Sequence, residues 1–264
     1  MGLGINVHSR RHKFQEGTRC FLSLRDNQKS LRLIEFKRKK MSEMSLEKAV
    51  MSRHSVRGFL QKEVSQELLN KVFDIARWSP SGTNMQPWQI CVASGATRNL
   101  LREKMMAAVK DGMPPDQDFK SSGKPIGKLW KDRRRECAAV LYRAMDITWE
   151  DKKARGAAAF RNFELFDAPH VAFICSDEAF SLARAWDIGM YAQTLMLAMT
   201  ANGLASCAQG TMGHYPEFVR EAFNLGEEIK VLFGISFGYE DKSMKVNTAL
   251  TERSSIEDTV IFKN

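Results

Sequence analysis

Two short polar segments carry the side chains best suited to chemistry. Arg53-His-Ser-Val-Arg57 sets two guanidinium groups and a hydroxyl within five residues. That set meets the needs of a phosphate, which takes forked donors of fixed geometry plus a neutral donor. An exposed basic turn would also read this way. The second segment, Ser79-Pro-Ser-Gly-Thr-Asn-Met-Gln-Pro-Trp88, packs Ser79, Ser81, Thr83, Asn84 and Gln86 into eight positions. Gly82 permits a turn there, and Pro80 and Pro87 fix it. Hydroxyls and amides at this density can satisfy a polyol chain and the polar edge of a flat heterocycle. A helix C-cap with a polar turn accounts for Pro80 and Gly82 but leaves Asn84-Met-Gln86 unexplained. Together the segments read as two halves of a cradle for a phosphorylated, planar cofactor of the flavin type.

The elements that must position them alternate between helix and strand. Ser45 is a suitable N-cap, with Leu46, Ala49 and Val50 expected to face inward. Ser65 opens a better helix, with Leu68, Leu69, Val72, Ile75 and Ala76 at helical spacing. Pro80 ends it, and Trp88 to Ala93 reads as a strand. A helix follows at about 97–110. Residues 111–165 are broken by Pro114-Pro115, Gly123, Pro125 and Gly127, then carry charged helical pieces; so long a mixed insertion predicts a flap over a site. Then come a strand (Val171 to Cys175), an apolar helix (about 181–202), a short strand (Ala205 to Gln209), a small helix (Pro216 to Phe223) and a last strand (Ile229 to Gly238).

The apolar helix has almost no polar face, so it is expected to lie in a large core or between two subunits. In the last strand Val231, Phe233, Ile235 and Phe237 are expected on one face. Leu232, Gly234, Ser236 and Gly238 fall on the other, where the glycines let a neighbour approach the backbone. Strands interleaved with helices predict a layered α/β or α+β domain.

Composition limits the alternatives. The chain of 264 residues carries a formal net charge of +9, but residues 1–40 hold eleven Lys or Arg against three Asp or Glu. The remaining 224 residues hold 29 basic and 28 acidic side chains. A near-neutral body with no basic stripe argues against nucleic acid as a partner. The basic extension, taken as 1–43, reads as a poorly ordered tail or as residues ahead of a start at Met41 or Met44. Targeting and an interaction arm are the alternatives. No apolar run is long enough to cross a bilayer. Five cysteines (Cys20, Cys91, Cys137, Cys175, Cys207) form no CxxC pair, so no disulfide framework or zinc site is expected and a reducing, cytoplasmic setting follows.

The ordered set Arg53-His-Ser-Val-Arg57, the Ser79–Trp88 loop, Asp187-Ile-Gly-Met-Tyr-Ala-Gln193 and the ending Phe237-Gly-Tyr-Glu-Asp241…Asn247…Glu252-Arg253 resembles the flavin-dependent nitroreductase family. The resemblance runs over roughly 49–264. Arg134-Arg-Glu-Cys137 with Leu141-Tyr142 is similar to the nitrobenzoate-type branch. It implies an α+β, three-layer α/β/α fold with a mixed, mostly antiparallel sheet over 44–264, in an intertwined homodimer with FMN at the interface. Carried over by position, Arg53, Ser55 and Arg253 would hold the phosphate and Arg57 would lie near the pyrimidine end. Pro80 and Ser81 would come from the partner subunit, and Asn84 would contact the ring or ribityl from the first. Gln86 belongs to the same loop, and the backbone of Gln209-Gly210 would face flavin N5. His54 falls within the cofactor motif, although a lone histidine is more often a packing or backbone-bonding residue. The pattern departs at Thr251, where some members place a lysine.

The resemblance further implies a ping-pong cycle. A hydride from NADH or NADPH reaches the flavin, and a nitroaromatic or quinone-like oxidant then takes its place. Phe119, Trp130, Tyr142 and Phe163 are read either as stacking partners for an aromatic substrate or as flap packing. Reductive dehalogenation and flavin binding without turnover are the competing readings. No metal is expected.

Overall fold

The computed structural model describes residues 44–120, 123–180 and 184–263; the basic extension of 1–43 lies outside them. Helix α1 (Leu46–Ser52) begins where Ser45 Oγ accepts the Lys48 N–H at 3.2 Å, and α2 (Gln66–Ala76) where Ser65 Oγ accepts that of Leu68 at 3.3 Å. Each bond satisfies one of the orphan donors of a first turn. Helix α2 buries Leu69, Val72 and Ala76 and leaves Leu68 and Ile75 at its margin. Helix α1 departs from expectation: Leu46 and Val50 are exposed, and only Ala49 is buried. A two-turn helix lying across the body touches it along one line, here through Ala49.

Four strands follow: β1 (Gln89–Ser94), β2 (His170–Asp177), β3 (Ala205–Gln209) and β4 (Ile229–Gly238). They form one sheet in the order β1-β2-β4-β3, each neighbour antiparallel. A parallel bridge from Ser55 to Ser206 adds the Arg53–Arg57 segment at the free edge of β3, which makes the sheet mixed.

Helices α3 (Gly95–Lys110), α6 (Ala185–Ala201) and α7 (Pro216–Phe223) complete the layers. On one face α2 and α6 pack over Ala172, Ile174, Ile235 and Phe237. On the other, α3 and α7 cover Cys91, Ala93, Val171, Phe173 and Cys175. The result is the three-layer α/β/α arrangement of an α+β fold, with each fully buried Ile or Phe contributing about 1.5–3 kcal/mol. The described cysteines Cys91, Cys137, Cys175 and Cys207 are free, and Cys91 and Cys175 behave as buried small hydrophobes.

The last strand corrects the simple alternation. Ile174 pairs with Phe233 but Cys175 pairs with Val231, so Leu232 is an extra residue in a bulge. One inserted residue moves Val231 to the α3/α7 face, while Leu232 joins Phe233 and Ile235 on the α2/α6 face. The glycines do admit close neighbours. A Cβ on Gly234 would lie 2.7 Å from the Cβ of Met212, and one on Gly238 would lie 2.7 Å from Pro169 Cδ. Met212 belongs to a one-turn helix, Gly210–Gly213, that rests on β4 through that gap.

The apolar helix α6 buries Ile188, Tyr191, Leu195 and Met199, yet Trp186 and Met190 are exposed in the single chain. The flap region holds α4 (Lys128–Ala144) and α5 (Lys152–Phe160), neither with a buried residue. Between them Trp149 is contacted by Tyr142 at 6.0 Å and by the Arg155 guanidinium at 4.9 Å. Among the described residues no helix is long and apolar enough to cross a membrane.

Candidate active site

Arg53 ends α1 in extended conformation, and the chain then runs beside β3 with the Val56 N–H bonded to Ser206 O at 3.1 Å. Val56 is buried with Phe59, Phe166, Ala168 and Cys207. In an extended segment alternate residues share a face, so burying Val56 turns Arg53, Ser55 and Arg57 to the opposite side. All three line one crevice of about 1000 Å³. Its far wall is Ala249 to Arg253, and Val50 to Ser52, His54, Gln193 of α6, Glu240, Asn247 and the flap residues Cys137 and Leu141 complete it. The phosphate-type side chains are therefore assembled within one chain, although Arg53 and Arg253 lie 200 residues apart in sequence.

Asn247 is the reason the walls meet. Its Oδ1 accepts the Arg57 N–H at 2.7 Å, while its Nδ2 donates to Gly58 O and Asp241 O, both at 2.9 Å. At 6 % exposure every polar atom of this side chain is used. The sequence pattern includes Asn247 without giving it this role. Gln193 was equally missed; the only sign of it was an amide on an otherwise apolar helix.

The three arginines are poorly neutralised. Among the described residues none of Arg53, Arg57 and Arg253 pairs with a carboxylate. Arg57 Nη1 donates to Ser55 O at 3.1 Å. Arg253 Nη1 bonds Thr251 O at 2.9 Å, Thr251 Oγ1 at 3.0 Å and Glu252 O at 2.9 Å. Thr251, where some members carry lysine, thus supplies acceptors that orient Arg253 in place of a further cation. Below them Cys207 is buried. Burial pushes its thiol up, while Arg57, the Ser55 hydroxyl and Arg53 pull it the other way.

His54 is a bonding residue here. Its Nδ1 donates to Ser52 O at 3.0 Å, since a carbonyl can only accept, and Nε2 lies 3.4 Å from Glu240 Oε1.

The donor set fits a phosphorylated cofactor. Guanidiniums without carboxylate partners and a hydroxyl converge on one space, and His54 Nε2, on a residue that also lines it, is buried with no hydrogen-bond partner. Gln209 turns its side chain inward, with Nε2 donating to Asn162 O at 2.9 Å and Oε1 accepting from Ser236 Oγ. That bonding fixes the turn into Gly210, where a Cβ would meet nothing within 4 Å.

The Ser79–Trp88 loop lies elsewhere on the chain. None of Pro80, Ser81, Asn84 and Gln86 lines the crevice. Asp187, fully buried in the first turn of α6, accepts the Gly82 N–H at 3.2 Å and holds the loop to that helix. Ser81 Oγ accepts the Gln86 N–H at 2.9 Å, and Pro87 O accepts from Ser176 Oγ at 2.9 Å. Thr83, Asn84 and Gln86 all adopt positive φ, near 50° to 56°. Such backbone costs of order 1–3 kcal/mol per residue and persists where surroundings enforce it. Asn84 and Gln86 remain exposed.

The flap aromatics divide. Phe163 is buried against His214 and Tyr215, so packing accounts for it. Phe119 lines a separate small cavity with Asp118 and Ile188. Trp130 is exposed under the Arg133 guanidinium. None of the four lines the crevice.

A layered α+β chain with an unpaired cluster of arginines at the edge of its sheet defines the class, and comparison supplies the family. Residues 50–239 match the model of the nitroreductase family, and the chain belongs to that family. It is 36 % identical over 217 residues to the nitroreductase NfnB of Mycolicibacterium smegmatis, covering 82 % of this chain and 92 % of that protein. It is 29 % identical over 214 residues to a 4-nitrobenzoate reductase of Pseudomonas putida, covering 81 % and 93 %. Among solved structures, FMN-dependent NfnB from Mycobacterium smegmatis in complex with NADPH superposes with a TM-score of 0.78 at 35 % identity, covering 83 % of this chain and 97 % of that one. The FMN- and NADPH-dependent NfnB of Sphigopyxis sp. strain HMH gives 0.80 at 28 % identity, covering 84 % and 100 %.

Proposed function

We propose that this protein is an FMN-dependent oxidoreductase that uses NADH or NADPH to reduce nitroaromatic or quinone-like compounds. The observation that carries the reading is the crevice itself: Arg53, Ser55, Arg57 and Arg253, free of carboxylate partners, in a chain similar over four-fifths of its length to FMN-dependent nitroreductases. Bound FMN would supply the hydride acceptor and donor, which no side chain here can be.

The chain's own residues bind and orient. Arg53, Ser55 and Arg253 would hold the phosphate by charge-assisted hydrogen bonds. Arg57 would place positive charge beside the pyrimidine edge, where negative charge builds up during reduction. Asn247 positions Arg57, and Thr251 positions Arg253. Gly210 leaves open space for a flat ring to approach the backbone.

The same reading makes the working unit a homodimer. The exposed Trp186 and Met190 stripe on α6 and the exposed Thr83–Gln86 stretch of the loop that Asp187 ties to that helix support this. A second copy would bring Pro80 and Ser81 to the crevice; Asn84, expected there from the first subunit, does not line the crevice of its own chain.

Anaerobic stopped-flow with NADH or NADPH tests the activity. Loss of flavin colour followed by its return with 4-nitrobenzoate or a quinone is expected. Flavin that stays yellow with both nucleotides, or bleaches and does not recover with either oxidant, contradicts it.

A further inference from the structure

Helix α4 is fastened lengthwise to the wall that carries Arg253. Arg133, Cys137 and Leu141 stand four residues apart and share one stripe of the helix. Cys137 and Leu141 line the crevice. Arg133, one turn earlier, donates from Nη2 to Ser254 Oγ, on the residue that follows Arg253. Just past the other end of α4, Asp146 pairs with Lys245 at 2.5 Å. These two links are separated by about 20 Å of helix. The segment from Lys245 to Ser254 therefore runs beside α4 in the opposite direction, and it contains Asn247, Thr251 and Arg253.

The links are unequal. Lys245 and Asp146 are both more than two-thirds exposed, and such a pair contributes little. Arg133 is partly buried and pairs with no carboxylate among the described residues. Its guanidinium lies over the Trp130 ring at 5.0 Å, which restricts where it can point. Because α4 has no buried residue, few apolar contacts hold it down.

We propose that Arg133 is a positioning residue that latches α4 to the Arg253 wall, so that FMN bound there and a closed flap stabilise each other. The ligand in this statement rests on the FMN reading; the latch does not. A phosphate held by Arg253 fixes the Thr251–Ser254 stretch, which gives Arg133 a fixed acceptor. Helix α4 then keeps Cys137 and Leu141 over the crevice. By linkage, a latched helix tightens FMN by the same factor.

Amide hydrogen exchange of the full chain, with and without FMN, reads the latch in residues 128–144. In the wild type FMN is expected to slow exchange there by about tenfold, the size of one hydrogen bond to a charged group. Arg133→Ala and Ser254→Ala keep Arg53, Ser55 and Arg253. Both should still bind FMN, about tenfold more weakly, but without protecting α4. Arg133→Lys, which keeps the charge and a donor, should recover part of the protection. The amides of α3, outside the flap, should exchange alike in all four proteins, which separates a lost latch from general loosening. Exchange in α4 that ignores FMN in the wild type overturns the proposal, as does equal slowing by FMN in the wild type and both alanine variants. A wild type that takes up no FMN refutes the cofactor reading instead. The latch is then decided without flavin: α4 exchanges faster in both alanine variants if it holds, and at the wild-type rate if it does not.

Discussion

Asn247 Oδ1 accepts the backbone N–H of Arg57 at 2.7 Å, across 190 residues of sequence. Through this bond the wall that carries Arg253 is joined to the wall that carries Arg53. Asn247→Ala leaves the Arg57 N–H and the carbonyls of Gly58 and Asp241 without their partner, at about 1–3 kcal/mol for such buried groups. Asn247→Asp keeps the acceptor but turns a second oxygen toward those two carbonyls. Both variants should melt several degrees lower and bind FMN at least about tenfold more weakly. Unchanged FMN affinity in Asn247→Ala would show that the clamp does not position the crevice.

Arg53 and Arg253 face the crevice from opposite walls, so each should contribute separately to FMN binding. Arg53→Ala and Arg253→Ala are each expected to weaken it by about tenfold or more, as for one charge-assisted bond. Thr251→Val, which removes one acceptor of Arg253 and leaves its charge, should have a smaller effect. Fluorescence titration of flavin-free protein measures all three.

Gly234 lets Met212 lie against β4. Gly234→Ala puts a Cβ 2.7 Å from Met212 Cβ, in a fully antiparallel part of the sheet where neither backbone gives easily. Overpacking of this kind costs about 1–3 kcal/mol, and it should also displace the Gly210 turn. A lower melting temperature together with a changed bound-flavin spectrum is expected; wild-type values of both would refute the role.

Stability should fall on acidification through His170. Its Nε2 accepts the Val64 N–H at 3.0 Å, so Nδ1 carries the proton toward Ser94 Oγ, and the ring stacks on Phe237 at 5.2 Å. Burial, followed by Glu63 acting in the opposite sense and Arg98 in the same sense, holds its pKa below 6.5. Burial lowers His214 likewise. Below pH 6.5 the unfolded chain takes up protons that the folded chain does not. The stabilisation is therefore complete above pH 6.5 and is lost as pH falls toward the folded-state values. Melting temperatures measured from pH 8 to pH 5 should decline below about 6.5. His170→Gln should show a shallower decline, with His214 still contributing.

Much of this was legible in the sequence because it is local. Ser45 and Ser65 cap their helices, and β3, α7 and β4 begin and end where turn residues and periodicity place them. The arginine cluster was readable for the same reason, since Val56 between two polar neighbours forces the alternation. What was not legible depends on distant partners. The Leu232 bulge is set by pairing with β2, and the inward face of α1 by how it crosses the body. Asn247 and Gln193 acquire their places only when chain segments far apart in sequence meet. The Ser79–Trp88 loop shows its polarity in sequence, but its attachment to Asp187, away from the crevice of its own chain, is tertiary.

The central claim is that the crevice between Arg53 and Arg253 holds FMN. Desalted protein incubated with excess FMN and passed over a gel-filtration column should carry about one flavin per chain in the wild type, and far less in an Arg53→Ala, Arg253→Ala double variant of the same oligomeric state. Flavin that elutes free from the wild type, or stays fully bound to the double variant, would contradict the account.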